Sequence, residues 1–294
     1  MPKNLSWAAF ARAGLCVGLG LLITAASAAA PGPAMLNVAT YNLRLNTPDD
    51  GPNIWAERRE MVKALVRYHE FDLFGTQEGQ PEQIKDLEAL SEYAHVGVGR
   101  DDGKDEGEHS TIFYRRTRFQ LLQHGDFWLS ETPERPSKGW DGLCCNRLVS
   151  WARLHDRISG VNLLVTSAHF DHEGAVAQRE SAKLLLRWLA ANRITGAKAD
   201  RVIALGDFNS TPESEPARLM RAVLGDARAL SEQPPYGPSA SFNDFRFGVA
   251  PEKLIDYIFV DHGIRVLKYA VLSDSNGMRY PSDHFPVAVR LLVR

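Results

Sequence analysis

What most restricts the fold of this chain is a recurrence of short apolar, β-branched stretches, each of strand length. They are MLNVATYN (35–42), FDLFGTQE (71–78), STIFYRR (110–116), VSWARLH (149–155), NLLVTSAHF (162–170), RVIALGDFN (201–209), LIDYIFV (254–260) and HFPVAVRLLV (284–293). Runs of this length, bounded by turn formers, read as strands. Between some of them the period changes. WAERREMVKALVRYH sets Met61, Val62, Leu65 and Val66 at helical spacing, and AVAQRESAKLLLRWLAANRI does the same with Leu184, Leu185 and Trp188. Many strands and few helices make an α/β protein in which two packed sheets flanked by helices fit better than one doubly wound sheet.

Composition bounds the rest. At 294 residues, 44% hydrophobic and 24% charged, the chain is neither disordered nor collagenous and can bury a large core. The first 30 residues carry Lys3 and Arg12, an apolar run from Gly14, and small residues around Ala26, Ser27 and Ala28. That is the pattern of a cleaved secretory signal peptide, predicting a secreted or periplasmic protein. An uncleaved anchor is the alternative, but the run is short and Ala-rich for a span. After a brief PGPA linker no composition break or repeat follows, so 31–294 is read as one domain. Loss of the signal moves the formal charge from −2 to −4. A mildly acidic protein lacks the broad attraction of a general nucleic-acid binder, so nucleic acid is a less favoured partner. No apolar hairpin suggests stable membrane insertion, and the oligomeric state is left open. Cys144 and Cys145 are adjacent, a spacing that rarely suits a mutual disulfide, and no spaced Cys/His set suggests zinc.

The strand ends carry the chemistry. Asn42, Glu78, His169, Asp207 with Asn209, and Asp283 with His284 all fall where an apolar stretch ends or begins. Singly each has an ordinary explanation: Glu78 a helix-start acid, Asn42 a turn residue, His169 a structural histidine, Asp283 a loop cap. Jointly they mark a site built on a rigid sheet edge. Strand alternation would turn Asp207 and Asn209 to one side.

The ordered set TYNLR, GTQE, SAHFDH, GDFNSTP, LIDYIFV and YPSDHFPV resembles the endonuclease/exonuclease/phosphatase superfamily of deoxyribonuclease-like phosphoesterases, in a secreted bacterial-type branch. The resemblance implies a four-layer α/β sandwich with two mainly antiparallel sheets, a divalent metal at one edge, and phosphate-ester hydrolysis. It implies that Glu78, Asn42 and Asp283 hold Mg2+ or Mn2+, a hard cation suited to oxygen ligands. Asp207 would activate the attacking water and Asn209 would donate to the phosphate. His284 would contact the scissile phosphate with Asp256 fixing its ring, and His169 would be the candidate acid, supported by Glu108. His172 would stand no closer than the supporting shell.

Two charged or aromatic loops, 97–110 and 125–151, add candidates of their own. Arg100 and Lys104 could approach an anionic group, and Trp140 could stack on a ring or sugar. The expected activity is a secreted, metal-dependent phosphoesterase acting on a small, sugar-linked or lipid-linked mono- or diester. The alternatives are a secreted nuclease of the same fold and a noncatalytic phosphate-binding module.

Overall fold

The computed structural model describes residues 32–196 and 199–294; the predicted signal segment, 1–30, lies outside them. Two six-stranded mixed sheets face each other. The first runs β11 (Arg265–Val271), β12 (Val287–Val293), β1 (Ala34–Asn42), β2 (Leu73–Gln77), β4 (Ile112–Arg115), β3 (Tyr93–Val96). The second runs β5 (Phe119–Trp128), β6 (Leu148–Asp156), β7 (Asn162–His169), β8 (Arg201–Asp207), β10 (Asp256–Val260), β9 (Gly225–Asp226). Pairing is antiparallel except for β1 with β2 and β7 with β8. All eight predicted stretches are strands. β3, β5, β9 and β11 were not predicted; β5 and β11 are edge strands whose exposed polar positions dilute the apolar signal.

Three apolar layers hold this arrangement together. Between the sheets lie Leu36, Val38, Leu205, Ile258 and Val289. Outside the first sheet, Ala39, Tyr41 and Phe74 meet Val62, Leu65 and Val66 of α1 (Trp55–Tyr68) and Ile84 and Leu87 of α2 (Pro81–Leu87). Outside the second, Leu164, Val202 and Phe259 meet Leu185 and Leu189 of α3 (Ala175–Asn192) and Met220 of α4 (Glu215–Arg221). β1 shows why the sheets must be covered twice. Its alternating side chains, Leu36 and Val38 inward, Ala39 and Tyr41 outward, are apolar on both faces. The result is the expected four-layer sandwich. Among the described residues no helix is long and apolar enough to cross a membrane.

Sheet spacing near the site depends on Gly75. A Cβ there would run into the Leu205 side chain and Ser167 Oγ of the facing sheet. Beside it Gln77 Nε2 donates to Ser167 Oγ at 3.1 Å, and Ser167 Oγ donates to the Thr76 carbonyl at 3.2 Å, so the two sheets are also joined by buried hydrogen bonds.

Candidate active site

Register brings the strand-end residues together. β1 beside β2 sets Asn42 opposite Gln77, and Glu78 follows directly. β7 beside β8 sets His169 opposite Asp207, while β10, antiparallel to β8, places its first residue Asp256 opposite Asp207 as well. The segment before β12 is stitched to the end of β1. Ser282 Oγ donates to the Asn42 carbonyl at 2.7 Å, and the buried Arg58 of α1 donates to the carbonyls of Leu43 (2.7 Å) and Pro281 (2.8 Å). Residues from both sheets thus line one cavity of about 610 Å3, including Glu78, Glu108, His169, Asp207, Asn209, Asp283 and His284.

Asn42 sits between two carboxylates, its amide nitrogen donating to Glu78 Oε1 at 2.8 Å and Asp207 Oδ2 at 3.0 Å. Its amide oxygen, expected to face a metal, accepts from Arg44 N at 2.9 Å instead. The reason is local: Arg44 turns with φ 56 and its N–H needs an acceptor, while two clustered carboxylates need donors. Asn209 also departs from expectation. β8 ends at Asp207, and Asn209 reaches the cavity through a left-handed turn with φ 44, its N–H bonded to Asp207 Oδ1 at 2.8 Å. Gly206 makes the approach of β7 possible, since a Cβ there would meet the Ala168 backbone.

The two histidines are driven in opposite directions. His284 Nδ1 lies 2.8 Å from Asp256 Oδ2, which also accepts from Ser241 Oγ at 2.6 Å, and its Nε2 is 3.9 Å from Asp207. Burial disfavours the imidazolium, but Asp256, Asp283 and Asp207 together hold its pKa well above the usual histidine value. Burial, reinforced by Arg147, pushes His169 down to about 3. Arg147 Nη1 lies 3.0 Å from this ring and Nη2 2.8 Å from His172 Nδ1. His169 is thus held neutral, one ring nitrogen carrying a proton and the other able to accept, with the expected Glu108 3.6 Å away. Burial and the neighbouring Asp256 raise Asp207, which suits a group that must take up a proton.

Other expectations divide. Arg100 lines the cavity but is already paired with Glu108 at 2.6 Å. Lys104 is exposed, and neither it nor Trp140 is among the lining residues; Trp140 is held on its loop by a 3.1 Å bond from its N–H to Glu131. Several lining residues went unpredicted. Arg147, just before β6, is buried beside the histidines, and the turn carrying Asp244 and Phe245 forms another part of the wall. Cys144 and Cys145 stand side by side on the lining too.

Glu78, Asp207 and His284 offer ligand atoms within 4.8 Å of one another. The donor set fits a hard divalent cation on physical grounds. Asp283 is buried and pushed up to about 6, by burial first and with help from half-buried Glu78, against the pull of His284; Arg44 Nε is no nearer than 3.9 Å. A cation among these oxygens would offset the cost of burying them. Glu78 and Asp283 would hold it, since a protonated His284 has no lone pair to give.

A model of the Endonuclease/Exonuclease/phosphatase family matches residues 39–284. The chain belongs to this family. Among solved structures of the family, a protein from Bacteroides thetaiotaomicron is 40% identical, covering 89% of this chain and 99% of that one, with a TM-score of 0.83. A mannosyl-6-phosphatase of the same organism is 41% identical over 87% of this chain and 99% of that one, TM-score 0.80. D. rerio TDP2 complexed with a single-strand DNA product, 18% identical over 88% and 99%, shares the fold at a TM-score of 0.68. No similar sequence is found among curated proteins. Endonuclease/exonuclease/phosphatase family members are phosphoesterases, and the cavity described here has the groups such chemistry needs.

Proposed function

We propose that this family member is an exported phosphatase that removes the phosphoryl group from a small, sugar-linked phosphate ester. The observation that carries the reading is how the cavity's cations are spent. Arg44 is paired with Asp50 at 2.8 Å and Arg100 with Glu108 at 2.6 Å, Arg147 stands buried between His169 and His172, and Lys253 adds a single exposed ammonium to the lining. One deep guanidinium suits one phosphoryl group, whereas a nucleic-acid backbone calls for a row of exposed cations. Similarity to the mannosyl-6-phosphatase supports a sugar ester, and the signal-like pattern of residues 1–30 supports export.

In this mechanism the phosphoryl group rests against Arg147, His284 and the Asn209 amide. Asp207, held in place by Asn42 donating to its Oδ2, accepts a proton from the attacking water as that oxygen bonds to phosphorus and the P–O bond to the sugar breaks, the departing sugar oxygen taking a proton from solvent. The His284 imidazolium, fixed by Asp256, opposes charge developing on a phosphoryl oxygen. A divalent cation held by Glu78 and Asp283 would neutralise negative charge on the ester oxygens.

The test measures phosphate release by the purified protein from mannose 6-phosphate, other hexose phosphates, nucleotides, sphingomyelin and DNA, with Mg2+ or Mn2+ and with EDTA. Sugar phosphates are expected to be the best substrates, with activity lost in EDTA. Faster cleavage of DNA or sphingomyelin than of every sugar phosphate would overturn the reading.

A further inference from the structure

We propose that the turn Asn243–Phe245 is the wall that recognises the leaving group, and that it selects a neutral, polyhydroxylated ring. The inference rests on the phosphatase reading and concerns what lies beyond the phosphoryl group. Asp244 and Phe245 have φ values of 53 and 54, two consecutive side-chain-bearing residues in the left-handed region. Asp tolerates this region through local hydrogen bonding; Phe does not. Of the eight non-glycine residues with positive φ among the described residues, Arg44, Glu78, Asn209, Asp244 and Phe245 line the cavity, so backbone strain is concentrated at this site.

The turn is held there by the active-site segment itself. Asn243 N and Asp244 N both donate to the Asp283 carbonyl, at 2.7 and 3.1 Å, and Asn243 Nδ2 donates to the Ser282 carbonyl at 3.1 Å. Asn243 Oδ1 then accepts from Phe245 N at 2.8 Å, closing the turn. Just before it, Phe242 packs edge-on against the His284 ring at 5.1 Å. The wall therefore keeps a set position relative to the residues that would hold phosphorus.

Folding alone gives no use for the Asp244 carboxylate. It is 59% exposed, and its ion-pair partner is Arg246 at 3.5 Å. On the cavity wall, a carboxylate accepts from two neighbouring hydroxyls and repels a second phosphate or a continuing phosphodiester chain. The Phe245 ring, backed by the Arg58 guanidinium at 5.2 Å, offers an aromatic surface to the C–H face of a sugar.

Two variants test this with the full chain. Asp244→Asn removes the charge while keeping a residue at home in the left-handed region, and Phe245→Leu keeps apolar bulk but removes the ring. The readout is the ratio of kcat/KM for mannose 6-phosphate to that for p-nitrophenyl phosphate, with Mg2+ present. Each variant is expected to lower that ratio at least tenfold, because a site built to bind hydroxyls discriminates by them. An unchanged ratio, including equal losses on both substrates, overturns the proposal. A wild type that cleaves the aryl ester without preferring the sugar ester overturns it while leaving the phosphatase reading intact. A wild type that cleaves neither ester overturns both.

Discussion

Asp256→Asn isolates the device that keeps His284 charged. The Asp256 carboxylate lies 2.8 Å from His284 Nδ1 in a buried setting, with Ser241 Oγ as its second donor. With charge centres about 4 Å apart and an effective dielectric near 20, the attraction is about 4 kcal/mol. Asp207 and Asp283 remain and return part of it, so the net loss is about 2–4 kcal/mol. At one factor of ten per 1.36 kcal/mol, kcat/KM at pH 7 is expected to fall about 30- to 1000-fold. The pH profile gives the sharper test. In the wild type the imidazolium persists well above the usual histidine range. In the variant, burial is less opposed and the ring loses its proton more readily. Asp256 also raises Asp207, so its removal lets Asp207 ionise at lower pH. Activity should become a lower bell displaced toward acid. The sign for stability agrees: a raised native pKa contributes stability fully present below about pH 6.5 and lost as pH rises through the native value. The variant should lack that contribution. Steady-state kinetics across pH, with the His284 ring followed by NMR, would check it. Activity within threefold of wild type and an unmoved profile would refute the assignment.

Glu78→Gln should weaken Mn2+ binding at least tenfold by calorimetry and lower metal-dependent turnover about 100-fold or more, because a charged oxygen ligand becomes a neutral one; unaltered Mn2+ affinity would contradict the ligand assignment. Arg147→Met preserves bulk but removes the guanidinium, so His169, now pushed down to about 3 by burial and by Arg147, should titrate at higher pH in NMR, and KM for the ester should rise about tenfold or more. A His169 titration identical to wild type would show that burial alone sets it. Gly75→Ala drives a methyl group into Leu205 and Ser167 across the sheet interface and should destabilise by about 1–3 kcal/mol, read as a Tm lower by several degrees. An unshifted Tm would mean the sheets can separate there without cost.

Much of the site was readable because its residues stand at strand ends, where the apolar pattern breaks. Asn42, Glu78, His169, Asp207, Asp283 and His284 could each be named from such breaks, and all but Asn42 line the cavity. Asn42 lies behind it as the bridge between two carboxylates. Arg147 escaped notice because a lone arginine beside a strand gives no periodic signal; its basic neighbours elsewhere looked equally eligible, and Lys104 is exposed away from the cavity lining. Trp140 was attractive for its chemistry, but its own loop bonds settle where it sits. Asp244 and Phe245 had no marker at all, since a left-handed backbone cannot be foreseen at a phenylalanine.

The amino-acid order by itself determined the strands, the two longer amphipathic helices and the apolar faces that require two sheets and two helical coats, because burial and backbone geometry act over a few neighbouring residues. Tertiary structure decided which strand ends meet, which arginine faces the histidines, and why one imidazole is charged while the other is neutral. Those outcomes depend on register across sheets and on the field of groups twenty or more residues away in the chain, and no local pattern encodes either.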